Sequence, residues 1–198
     1  MKIAIEGLDG CGKTTVAKAM SQHYKCKYVD KSFKFILNKY GEPKARDNEE
    51  LRKYEKVVCN CGSNMIKAMY YAIGNLHDLL DTEDVIIDRY LGSNYFWNGD
   101  SETERLFAIL ADITKDKVFS VILYASLSER KKRIVTRNTK DSDLKYKELN
   151  IDNYDKLLSF YQKYNIPHCI INVDGKSIGE VNNEVIERID EYLNEKSI

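Results

Sequence analysis

Prolines are scarce in this chain: there are two among 198 residues, with ten glycines and no proline-, glycine- or serine-rich run that would serve as a linker. A single domain is expected, because this length buries one good core but not two. An excess of charge of either sign is also missing. Lysine plus arginine and aspartate plus glutamate each number 31, so no global field points to nucleic acid or a membrane surface as partner, and any charge logic must be local. No apolar stretch approaches the roughly 18 residues that a bilayer span needs. Met1-Lys2-Ile3 runs straight into an apolar strand, so no leader is expected and the cytoplasm is the expected compartment.

A disulfide framework is excluded on similar grounds. Five cysteines are an odd number, scattered through a chain expected to be intracellular, and read as reduced thiols. Cys59 and Cys61 form a C-x-C without a second ligand pair and fall within a helical pattern, which favours ordinary thiols over a metal site.

What the chain does have is alternation. Strand-like apolar runs at Lys2–Glu6, Cys26–Asp30, Asp84–Asp88, Val118–Tyr124 and His168–Val173 are separated by helical patterns. This predicts an α/β fold in which a five-stranded parallel sheet is covered by helices on both faces. Between the second and third runs, Leu51, Tyr54, Val57, Val58, Cys61, Met65, Met69, Ile73, Leu76 and Leu80 recur mostly at steps of three or four. They predict one or two helices facing the core, with Gly62-Ser63-Asn64 as the place of a kink or division. Later helices are expected at Glu102–Ile113, Ser128–Arg137, Leu144–Tyr164 and Ser177–Leu193.

The most specific string is Gly7-Leu8-Asp9-Gly10-Cys11-Gly12-Lys13-Thr14, a complete G-x-x-x-x-G-K-T loop between the first strand and the first helix. Glycines there let backbone N–H groups converge, and the helix start adds its positive dipole end, so the loop suits a polyphosphate such as ATP. Lys13 is expected on the β- and γ-phosphates, the Thr14 hydroxyl on a bridging Mg2+, and Gly7, Asp9, Gly10, Cys11, Gly12 and Thr15 around them. Cys11 sits where thiols oxidise readily, and oxidation there would inhibit nucleotide binding.

In open sheets of this kind ligands bind at the carboxyl ends of the strands, and the third run ends in Asp88-Arg89-Tyr90. Asp88 is the candidate second support for Mg2+ and Arg89 a candidate to neutralise phosphate oxygens. The segment 130–147 holds eight bases against two acids, a local net of +6. It reads as a basic lid that excludes water and brings Arg133 and Arg137, four apart on one helical face, to the transferred phosphoryl. A solvated helix face is the competing explanation of such a run.

Taken together, Glu6-Gly7-Leu8-Asp9-Gly10-Cys11-Gly12-Lys13-Thr14-Thr15 and Asp88-Arg89-Tyr90-Leu91-Gly92-Ser93 resemble the thymidylate kinase family of P-loop nucleoside monophosphate kinases, nearly end to end. The resemblance implies phosphoryl transfer from ATP to a nucleotide, with Asp9 near the acceptor sugar and Arg89 on the acceptor phosphate. It also implies that Ser93, Asn94, Trp97 and Asn98 line the base pocket, and that the protein forms a homodimer. The departures lie on the acceptor side. Tyr28-Val29-Asp30-Lys31-Ser32-Phe33-Lys34 stands where the family usually carries an Arg-Glu-Pro-Gly-Gly stretch, and Lys67 stands near its Asp-Arg pair. A lysine does not reproduce the bidentate fork of an arginine. The aspartate that often follows the fourth strand is replaced by Ala125-Ser126. A deoxynucleoside or other small-molecule kinase, or a nucleotide-binding regulator without turnover, is therefore a second expectation.

Overall fold

The computed structural model describes residues 1–30, 48–80, 82–137 and 154–196. Strands β1 (Lys2–Gly7), β2 (Lys27–Asp30), β3 (Val85–Asp88), β4 (Phe119–Tyr124) and β5 (His168–Asn172) form one sheet in the order β2-β3-β1-β4-β5. Every pairing is parallel. Helix α1 (Lys13–His23) follows β1, and α2 (Asn48–Cys59) and α3 (Asn64–Leu80) lie between β2 and β3. Helices α4 (Leu91–Asn98) and α5 (Glu104–Thr114) precede β4, α6 (Leu127–Arg137) and α7 (Tyr154–Lys163) precede β5, and α8 (Ile178–Glu195) closes the described chain.

The strands carry apolar side chains on both faces because both faces are covered. Ile3, Ile5, Ile86, Val121 and Leu123 pack with Val16 and Met20 of α1 and Val181, Val185 and Ile189 of α8. Ala4, Ile87 and Ile122 point the other way, toward Ala68, Leu91, Phe107 and Phe160. The chain passes from β1 over β3 to β2, returns to β3, and then crosses to β4 on the other side of β1. That reversal opens a crevice at the carboxyl end of β1, where open sheets of this type hold ligands.

The five strands fall where the hydrophobic pattern places them, within a residue at either end. Two differences lie in the helices, and one expected helix falls partly outside the described residues. Residues 91–98, not expected to be helical, form α4. The helix expected over Leu144–Tyr164 is described only as Tyr154–Lys163, with 144–153 outside the described residues. The segment 51–80 divides into two helices at the expected place, but most of its large apolar stripe does not face the core. Tyr54, Val57, Met69, Ile73 and Leu80 are all more than half exposed, while α3 buries Ala68, Ala72, Gly74, Asn75, Asp78 and Leu79. Small side chains allow α3 to lie close against α4, and the bulky ones are left outside.

Candidate nucleotide-binding site

The loop between β1 and α1 is built on left-handed backbone. Gly10 and Gly12 have φ of +87° and +102°, values that side chains with a Cβ adopt only under strain. A Cβ at Gly7 would stand 2.4 Å from the Leu123 carbonyl oxygen, so the loop lies directly against β4. Gly12 is the N-cap of α1 and supplies no side-chain cap, which leaves the first N–H groups of the helix directed at the loop's centre. Lys13 is 4% exposed; its Nζ donates to the Leu8 carbonyl at 2.7 Å and lies 3.6 Å from Asp9 Oδ1.

Strand pairing brings the second motif to the first. Ile5 is in register with Asp88, and the Thr14 hydroxyl donates to Asp88 Oδ2 at 2.5 Å. The other oxygen of this carboxylate, Oδ1, is buried without a hydrogen-bond partner. A hydroxyl and a carboxylate side by side are hard oxygen donors of the kind Mg2+ takes, and the orphaned Oδ1 fits such an ion and its waters. Arg89 has φ +73°. In that turn its N–H still reaches the Ile5 carbonyl at 3.1 Å, while its Nη2 donates to Asp9 Oδ1 at 2.7 Å. Burial works to raise the Asp9 pKa, but the Lys13 and Arg89 charges outweigh it and hold the carboxyl below its ordinary value.

A residue to which the sequence reading assigned no role lies at the centre of this arrangement. Glu6 is fully buried on β1, where Oε1 accepts from the N–H groups of Tyr90 and Ser93 at 3.0 and 3.1 Å and from the Tyr161 hydroxyl at 3.3 Å. The Ser93 hydroxyl donates to Oε2. The carboxylate therefore caps α4 from the neighbouring strand, and burial, only partly offset by these donors, raises its pKa. An acid at the end of an apolar strand was the available signal; its partners lie more than 80 positions away.

Two cavities meet at Arg89. One, of about 490 Å³, is lined by Gly10 to Val16, Arg89, Glu129, Arg133 and the start of α8, including Lys176, Ser177, Ile178 and Val181. The α8 wall was not anticipated, since its capping box, Ser177 with Glu180, reads in sequence only as a helix start. The other, of about 10 Å³, is a crevice between Gly7, Leu8, Asp9, Arg89, Ser93, Phe96, Trp97 and Leu157. Ser93 and Trp97 are thus at the crevice. Asn94 and Asn98 are not among its lining: Asn94 donates to the Ala68 carbonyl at 3.0 Å and Asn98 to Asn94 Oδ1 at 2.9 Å, which ties α4 to α3. Lys67 lines neither cavity.

Arg133 is held three ways. Its Nε donates to Glu129 at 2.8 Å, Nη1 to the Cys11 carbonyl at 3.2 Å and Nη2 to the Val173 carbonyl at 3.0 Å, so it joins the loop to the end of β5. Arg130, the first residue of the expected lid, is 1% exposed and packs beneath Gly10 rather than on a flap. Arg137 closes α6, and 138–147 lies outside the described residues. Cys11 is 1% exposed. Oxidation requires access as well as reactivity, so no exposed thiol supports oxidative inhibition at this loop. Cys59 and Cys61 are exposed, and no group of three potential metal ligands occurs among the described residues. No described helix is long and apolar enough to cross a membrane.

A phosphate-binding loop on the central strand, with an acid and an arginine at the end of the next strand, defines a P-loop nucleotide-binding protein. The chain belongs to the AAA domain family, which matches residues 3–155. Among curated relatives, a cytidylate kinase 2 from Borreliella afzelii is 26% identical over 204 residues, covering 100% of this chain and 99% of its own. A thymidylate kinase from Pediococcus pentosaceus is 25% identical over 212 residues, covering 97% and 98%. The solved structure of thymidylate kinase from Candida albicans superposes with a TM-score of 0.66 at 20% identity, covering 97% of this chain and 92% of that one, and shares the fold. The class is that of the P-loop kinases, which are phosphotransferases, and the resemblance to the thymidylate kinase family read from the two motifs is matched by these relatives.

Proposed function

We propose that the protein is an ATP- and Mg2+-dependent nucleoside monophosphate kinase acting on a pyrimidine nucleotide, with dTMP as the leading acceptor. The observation that carries this reading is the position of Arg89, which lines both the large cavity behind the loop and the small crevice in front of it. A cation at that junction lies where charge develops as a phosphoryl group passes from donor to acceptor. Relatives named for cytidylate and thymidylate support a pyrimidine monophosphate as acceptor.

In this reading the large cavity takes ATP. Lys13 and the free N–H groups of α1 hold the donor phosphates, and Thr14 and Asp88 hold Mg2+, which supplies charge neutralisation when bound. Arg133 fixes the loop to β5 on the donor side. Asp9 orients Arg89 and faces the acceptor sugar, while Ser93, Phe96 and Trp97 form the wall on which a base lies. Little covalent chemistry is asked of the protein, and rate comes from positioning and electrostatic complementarity. The homodimer that the resemblance implies would cover the apolar stripe of α3, where Ile66, Met69, Ile73 and Leu80 are each more than half exposed.

The test is an acceptor panel with Mg·ATP: dTMP, dUMP, CMP, thymidine and other nucleosides. A kcat/KM for dTMP or CMP at least about tenfold above that for any nucleoside is expected, since a site built for a phosphate rejects the analogue lacking it. Faster turnover of a nucleoside moves the assignment to a kinase of the same fold acting on neutral acceptors. Binding of ATP without turnover of any acceptor would make the protein a nucleotide-binding regulator.

A further inference from the structure

Tyr28 lies in the stretch that departs from the family pattern, and the site described above gives it no task. It stands on β2 in register with Ile86, two residues before Asp88 on the neighbouring strand. Residues two apart on a strand share a face, so the Tyr28 and Asp88 side chains leave the sheet on the same side. The Tyr28 phenol donates to Asp88 Oδ2 at 3.2 Å, the same oxygen that accepts the Thr14 hydroxyl at 2.5 Å. From above, Lys18 Nζ of α1 stands 5.7 Å from the centre of the Tyr28 ring, a contact that holds the ring by cation–π attraction. Asp88 Oδ1 has no partner and is buried.

The division between the two oxygens is informative. A carboxylate turns easily about its last bond, a broad two-fold torsion, and one donor does not fix which oxygen points where. Two donors converging on Oδ2 from opposite elements, α1 and β2, do fix it. They leave the lone pairs of Oδ1 for a ligand. A threonine hydroxyl that gives a lone pair to a cation still has its proton for Asp88, so the Thr14 bond and ion binding are compatible.

We propose that Tyr28 is a positioning residue for the divalent cation: its phenol locks the Asp88 carboxylate so that Oδ1 is presented to the ion or to its waters. The assignment rests on the nucleotide-kinase reading of the site.

The experiment compares the wild-type protein with Tyr28→Phe, which removes one hydroxyl and keeps the ring. Mn2+ binding to the ADP complex is followed by the electron paramagnetic resonance of free Mn2+, and ADP affinity in EDTA is measured on the same samples as a check on the fold and the loop. Mn2+ affinity is expected to fall about tenfold in Tyr28→Phe, the range for partners that orient a metal's ligands, while ADP affinity without metal is unchanged. Mn2+ affinity within twofold of wild type would overturn the proposal. Equal losses with and without metal would also overturn it, by making Tyr28 a scaffold residue. Wild-type protein that binds ADP but no Mn2+ would overturn the metal site itself, and that outcome is distinct from a failure confined to Tyr28.

Discussion

Arg89 Nη2 donates to Asp9 Oδ1 at 2.7 Å, joining the ends of β3 and β1 across 80 positions of sequence. The bond is made from a backbone turn that few arginines adopt, with φ +73°. An extended Arg89 would continue the line of β3, whereas the turn swings the side chain back over the loop. Strain of this kind, of order 1–3 kcal/mol, persists where the surroundings over-determine it, and it concentrates at functional sites.

Substitution at Arg89 should therefore separate activity from stability. Arg89→Gly relieves the left-handed backbone and removes the guanidinium. We expect kcat/KM to fall at least about 100-fold, the scale for losing a transition-state charge partner. Thermal unfolding should stay within a few degrees of wild type, because relief of strain offsets the lost ion pair. Steady-state kinetics and calorimetry on the same preparation check both parts.

Glu6 should show the reverse. Glu6→Ala leaves the buried N–H groups of Tyr90 and Ser93 without an acceptor, and a loss of about 3 kcal/mol in urea unfolding is expected. Glu6→Gln keeps an acceptor and removes the buried charge. Because the folded-state pKa is raised from 4.5, the native protein retains a proton that the unfolded chain releases as pH climbs above that value. The contribution of Glu6 is then fully present below 4.5 and declines as pH rises through the raised value. Unfolding at a series of pH values should show this decline in wild type and its absence in Glu6→Gln.

Lys13 and Arg133 both line the large cavity at the loop but make different contacts there: Lys13 with the Leu8 carbonyl, and Arg133 with the Cys11 and Val173 carbonyls. Lys13→Ala is expected to abolish turnover, by about 1,000-fold or more, with an unchanged circular dichroism spectrum. Full activity in that variant would refute the assignment of the loop. Arg133→Met breaks the bonds to the Cys11 and Val173 carbonyls and should act mainly on ATP binding, raising KM for ATP about tenfold with a smaller change in kcat.

The exposed stripe of α3 gives a separate test. Ile73, 54% exposed at its middle, is replaced by Glu, which introduces a charge into any apolar contact made there at little cost to the monomer's core. If α3 is the homodimer face, sedimentation should move from dimer to monomer. A dimer of undiminished affinity would place the interface elsewhere.

The glycine spacing of residues 7–14 and the apolar runs were enough to set the phosphate loop and the five parallel strands of a covered sheet, because those features arise from local backbone demands and from burial on both faces. Asp88 and Arg89 were readable as candidates because they stand where a strand ends, the place where sheets of this kind hold ligands. Only the tertiary structure decided what those residues touch. Periodicity finds an apolar stripe but not its partner, so it turned α3 toward a core that instead takes the small face of Ala68 and Ala72. Residue type likewise could not separate Asn94, which binds α3, from the Trp97 that borders the crevice, nor mark Glu6 as a helix cap supplied by another strand. Tyr28 and Thr14, distant in sequence and unlike in chemistry, meet on one oxygen of Asp88 because β2 and β1 flank β3.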